Sequence, residues 1–202
     1  MLNFVRAAAL AGSLIVAACS QATPEATPLA GDWSLDSKSS RLSYVSVKAG
    51  DIAESNRFTR VSGSVSASGA AALEIDLASV STGVDIRNER MREVLFNVAQ
   101  NPVATVTTQL DPKAFEGLAI GASVLQEIEA TVSLKGIETS VFAEVEATRI
   151  ANDRVLVATT DPIILDANSF DLAEGLEQLR GLAGLPSIST AVPVTFSLVF
   201  ER

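Results

Sequence analysis

Residues 124–147 read VLQEIEATVSLKGIETSVFAEVEA, and this stretch decides the fold. Val124, Ile128, Ala130, Val132 and Leu134 alternate with Glu127, Glu129, Thr131 and Ser133. Beyond Lys135-Gly136-Ile137-Glu138, Val141, Ala143, Val145 and Ala147 alternate with Glu144 and Glu146. Successive side chains of a strand point to opposite faces, so a period of two describes a strand with one buried face. Two such strands around a glycine-bearing turn form an antiparallel hairpin, wet outside and apolar inside.

The pattern continues in both directions. Leu73, Ile75 and Leu77 alternate with Glu74 and Asp76, and Val192, Val194, Phe196, Leu198 and Phe200 share one face of the last segment. Residues 41–48, 60–67, 102–110 and 155–165 are further strands, which makes about eight, enough to close a small barrel. Ser68-Gly69-Ala70 and Asn152-Asp153 supply tight turns. Short joints between consecutive strands favour an up-and-down meander, and closure removes its exposed edges. The class is therefore mainly β: a single antiparallel barrel.

Two segments break the period. In residues 85–100, Met91, Val94, Leu95 and Val98 fall on one helical stripe. Leu172, Leu176 and Leu179 repeat similarly, with Asp171 and Glu174 as a capping pair and Gly181, Gly184 and Pro186 as the stop. These two short amphipathic helices are expected to cover barrel ends.

Before the barrel lie two segments without strand character. Residues 1–18 carry one charge, Arg6, then an apolar run ending Val16-Ala17-Ala18. The run is shorter than the ~20 residues of a spanning helix and has the form of a secretory signal. Cys19 follows directly and is the only cysteine. This arrangement resembles the bacterial lipobox, with Val16 where leucine is usual; the resemblance implies cleavage before Cys19 and acylation of its thiol. Acyl chains would anchor the protein to membrane. Ser20, rather than Asp, next to the cysteine points to the inner leaflet of the outer membrane, facing the periplasm. Residues 19–31, including SQATPEATPLAG, lack apolar periodicity and read as a flexible tether. The folded domain is expected over 32–202.

Composition narrows the function. Removing residues 1–18 makes the formal charge one unit more negative than the −9 of the whole chain. Such acidity disfavours nucleic acid as a partner. The chain has no histidine, so imidazole metal ligands and Ser-His or Cys-His catalysis are excluded. A single cysteine allows no internal disulfide. No G-x-S-x-G, S-x-x-K, G-x-G-x-x-G or P-loop occurs. The paired carboxylates Glu74/Asp76, Glu127/Glu129 and Glu144/Glu146 fall on wet strand faces. No enzyme and no cofactor are expected.

Small barrels are packed solid or hold one small ligand, and alternation alone leaves both open. If the barrel is hollow, its wall and mouth are drawn from Phe58, Leu77, Arg87, Met91, Leu95, Phe96, Val132, Leu134, Ala143, Phe170 and Phe196. Arg87 stands out, one helical turn before Met91. A guanidinium at the rim of an apolar cavity can hold a phosphate or carboxylate bidentately. Equally, Arg87, Arg90 and Arg92 can pair with Glu89 and Glu93 on a wet face.

The order of short motifs carries a family resemblance. Trp33-Ser34-Leu35-Asp36 opens the domain and 39–47 follows. Then come Phe58 with Val61-Ser62-Gly63, Ile75-Asp76-Leu77, and Ser79-Val80-Ser81-Thr82. Arg87-Asn88, Met91-Arg92, Leu95-Phe96, Asn101-Pro102 and Leu134-Lys135-Gly136 complete the series. Together these resemble the YceI-like family of periplasmic proteins over essentially all of 32–202. The resemblance implies a lipocalin-like antiparallel barrel and a long polyisoprenoid, or a quinone-like molecule, in an apolar tunnel. The helical segment of that family usually reads Arg-Asp-x-His-Leu-Arg. Here Arg87 and Arg92 match, Met91 is a conservative change, and Asn88 and Arg90 depart, so head-group contacts differ. The rival expectation is a solid-barrel envelope stress or interaction module with no ligand.

Overall fold

A computed structural model describes residues 28–202. Residues 1–27, with the segment read above as a secretory signal and Cys19, lie outside the described residues. Twelve strands are β1 (Trp33–Leu35), β2 (Arg41–Lys48), β3 (Ile52–Phe58), β4 (Val61–Val65), β5 (Ala70–Asp76), β6 (Val80–Ser81), β7 (Val103–Gln109), β8 (Ser123–Leu134), β9 (Ile137–Ala151), β10 (Arg154–Thr159), β11 (Ile163–Asp166) and β12 (Ala191–Glu201). All pairings are antiparallel.

The registers merge these twelve strands into eight staves. β1 and β2 both lie on β12. β3 pairs β2 while β4 pairs β1. β5 pairs β4 while β6 pairs β3. β10 and β11 both lie on the opposite side of β12. Four staves are thus bent pairs, and β7, β8, β9 and β12 are continuous. Consecutive staves are neighbours, and β1 on β12 closes the ring. The meander expected from short turns is present. The β8–β9 turn has Lys135 at φ 53° and Gly136 at φ 78°. Two successive positive-φ residues fit the right-handed twist of a two-residue hairpin.

The order of staves fixes two ends. The lower end carries residues 28–32, the hairpin at 66–69, the long loop 110–122 and the turn 152–153. The upper end carries the turn 49–51 and both helical segments, so the two helices share one end. Helix α1 (Asp85–Arg90) runs into a wide π turn over Met91–Leu95, where Phe96 N donates to Met91 O. Met91, Leu95 and Phe96 of this segment are buried. Helix α2 (Ala173–Ala183) packs on the π turn through Gly175. A Cβ there would lie 3.2 Å from the Leu95 Cα and the Val94 carbonyl oxygen, so the missing side chain permits the close approach.

Three expectations change. Residues 155–165 form two strands, because Asp161-Pro162 interrupts the ladder; proline offers no N–H to it. Asp171 does not cap α2. It sits at φ 53° and ends the preceding 3-10 turn, while Leu172 occupies the cap position without a side-chain bond. Gly181 lies inside α2, and Gly184 at φ 63° ends it.

Candidate functional site

The barrel is hollow. A continuous cavity of about 1670 Å³ runs through it, bounded at one end by residues 28–31 and at the other by the helices. That exceeds the ~300–1,000 Å³ usual for small-ligand pockets. The size follows from sequence. Inward positions of β9 include Val141, Ala143 and Ala147, and β5 and β7 contribute Ala71 and Ala104. Small side chains on facing staves cannot meet across the axis.

Each residue expected on the wall or mouth lines this cavity: Phe58, Leu77, Arg87, Met91, Leu95, Phe96, Val132, Leu134, Ala143, Phe170 and Phe196. Leu77 and Phe170 are each 2% exposed, sealing the wall from outside. Phe58 bridges Tyr44 and Phe96 with ring centroids at 5.6 and 6.0 Å, within the range of favourable aromatic pairs. Phe142, in contrast, points outward and is exposed.

The lower mouth is lined by Pro28, Leu29, Phe115 and Ala119, with Ser66 and Glu116 beside them. Residues 28–31, read above as the end of a flexible tether, are held against the barrel. Arg202 donates to Ala30 O at 2.6 Å and Pro28 O at 3.1 Å, and Trp33 Nε1 donates to Leu29 O. The Arg202 guanidinium lies 5.2 Å from the Trp33 ring centre. Nearby, Arg149 is 1% exposed and donates to the Leu118, Ala151 and Asn152 carbonyls, fixing the loop 110–122 to the turn after β9. Its signal was present in sequence: Val145, Ala147 and Arg149 continue one inward face.

The upper end is polar in ordered rows, set by the β2–β3 register. Leu42 faces Phe58, Tyr44 faces Asn56, and Ser46 faces Glu54. Arg87 joins the outermost of these rows. Its Nη1 donates to Glu54 Oε2 at 2.6 Å and its Nη2 to Thr82 O at 2.7 Å. Lys48 Nζ lies 2.9 Å from the same Glu54 oxygen. The Arg87 side chain therefore meets a carboxylate from β3, rather than Glu89 or Glu93, and much of its capacity for an external anion is spent. The hydrogen bond from Lys48 holds the Glu54 carboxyl below its ordinary range; burial opposes this, and the Arg87 charge assists it. Burial pushes the Tyr44 phenol up despite Arg87, so it stays a neutral donor. The sequence reading missed Tyr44, Ser46, Lys48, Glu54 and Asn56. Among the described residues no cluster could hold a metal ion.

A family model described as YceI-like domain matches residues 33–200. Among solved structures, a polyisoprenoid binding domain from Saccharophagus degradans, implicated in plant cell wall breakdown, is 42% identical. It superposes with a TM-score of 0.82 and covers 84% of this chain and 98% of its own. Burkholderia cenocepacia BcnA is 19% identical, with a TM-score of 0.63 over 82% of this chain and 98% of its own. A CJ YCEI protein, solved as a mutant with a monobromobimane guest, is 13% identical with a TM-score of 0.53, over 73% of this chain and 84% of its own. The last two share the fold alone. No curated protein matches the chain.

Proposed function

The chain belongs to the YceI-like family, and from that membership we propose that it binds or carries a polyisoprenoid-like molecule in the barrel while anchored in the envelope through Cys19. The carrying observation is the cavity: about 1670 Å³, continuous through the barrel and apolar over most of its lining, with the polar Tyr44–Asn56 row and the Lys48, Glu54 and Arg87 charges at the helical end. A long apolar chain with one polar end has that shape and that distribution of polarity. Burial of the chain against the wall provides the affinity, at ~25 cal/mol per Å² before ordering costs are subtracted. The similarity at 42% identity to a polyisoprenoid binding domain supports the same ligand class here. The protein acts as a binder, not an enzyme. Its periplasmic site accords with the family, and the acyl anchor on the inner leaflet of the outer membrane accords with the lipobox-like segment ending at Ser20.

Bulk added to the wall tests this reading. Ala143 lines the cavity from β9, and Ala143→Trp should abolish isoprenoid binding with little loss of stability, since the ring enters open space. In a solid core the same change overpacks and costs ~1–3 kcal/mol. Retained binding in this variant would contradict the proposal.

A further inference from the structure

Resting on the carrier reading, we infer that the upper end of the cavity selects a neutral, hydroxyl-bearing head group, such as a prenol or a prenylated phenol, and not a phosphate ester. The argument begins with Asn56, which is 4% exposed and lines the cavity. Its Nδ2 donates to Ser46 Oγ at 3.0 Å and to the Glu54 carbonyl at 3.1 Å. That carbonyl can only accept, which fixes the orientation of the amide. The Asn56 Oδ1 is then left buried without a donor, and Arg87 Nε is buried without an acceptor. Buried polar atoms are rarely left unpaired, because an unmade bond costs the full desolvation of the group. Tyr44, opposite Asn56 in the ladder, bonds only weakly, its Oη 3.5 Å from the Met91 sulfur.

This set asks for a ligand oxygen that both gives and takes. A hydroxyl donates to Asn56 Oδ1 and accepts from Arg87 Nε or the Tyr44 phenol. A fully ionised phosphate has no proton for Asn56 and would face that oxygen with like polarity. The position of the rows agrees. A chain end rising from the apolar Leu42–Phe58 row first meets the neutral Tyr44–Asn56 row. The charges lie one row further out, where Lys48 and Arg87 share the single Glu54 carboxylate.

The test uses the whole chain, stripped of lipid and titrated with three probes of equal isoprenoid length: a prenol, its methyl ether and its monophosphate. The ether keeps the acceptor and removes the donor. The prenol should bind about tenfold more tightly than the ether and more tightly than the monophosphate, the scale of one well-placed hydrogen bond. In Asn56→Leu that preference over the ether should collapse while ether binding is retained, which also shows that the variant is folded. Equal binding of prenol and ether by the wild-type chain, or tightest binding of the monophosphate, overturns the inference and leaves the carrier reading standing. If none of the three binds, the carrier reading fails and this inference with it.

Discussion

Glu54 on β3 and Arg87 on α1 meet at 2.6 Å, joining the barrel wall to the helical segment that covers its upper end. Both side chains are about one-third exposed, so solvent screens the pair and its contribution is modest. Arg87→Ala should lower stability by about 1 kcal/mol at neutral pH, read as a shift in the urea midpoint. It should also loosen the helical cover and speed ligand exchange.

The same pair gives a pH dependence with a defined sign. The Glu54 carboxyl is depressed below its ordinary value of 4.5 by Lys48 and Arg87. Its contribution is present above that value and is lost as pH falls through the lower, folded-state value. Wild-type stability should therefore drop on acidification below about pH 4.5, and Glu54→Gln should show a shallower drop over the same interval. Parallel curves for the two proteins would show that Glu54 is not the titrating group.

Substitutions on the two faces of β8 should separate sharply. Val132 is buried and faces the cavity, while Glu129 is exposed on the other face. Val132→Asp should cost ~3 kcal/mol or more at neutral pH, because the carboxylate has no partner there. Glu129→Lys should stay within about 0.5 kcal/mol. Denaturant midpoints of both variants read the difference directly.

Those opposite expectations show what the sequence made legible. In β8 and β9 every inward residue from Val124 to Ala147 except Gln126 is apolar or small, so face, register and hairpin could be read from alternation alone. β3 could not. Its outward residues are Ala53, Ser55 and Arg57, and its inward ones are Glu54, Asn56 and Phe58. The polar row that gives the cavity its chemistry removes the apolar face that would have announced the strand. Arg87 and the wall residues were found because a helical stripe and inward alternation point to them. Tyr44, Asn56 and Glu54 escaped because they meet only through the β2–β3 register. The bend of four staves was also hidden, since β1 and β6 are too short to show a period.

Anchoring is tested at Cys19. The wild-type chain should fractionate with membrane and carry acyl chains on its first mature residue. Cys19→Ser should leave the barrel folded and release it from the membrane fraction or leave it unprocessed. A soluble, unacylated wild-type protein would remove the lipoprotein reading and leave the cavity argument untouched.

The central claim is that the cavity is filled in its native setting by an apolar chain. Native mass spectrometry of the wild-type protein, taken from its own envelope without added lipid, reads this directly. The account predicts a bound species whose mass steps by isoprene units and which is missing from Ala143→Trp purified in parallel. A wild-type barrel that arrives empty, together with an Ala143→Trp variant that has lost much of its stability, would contradict it.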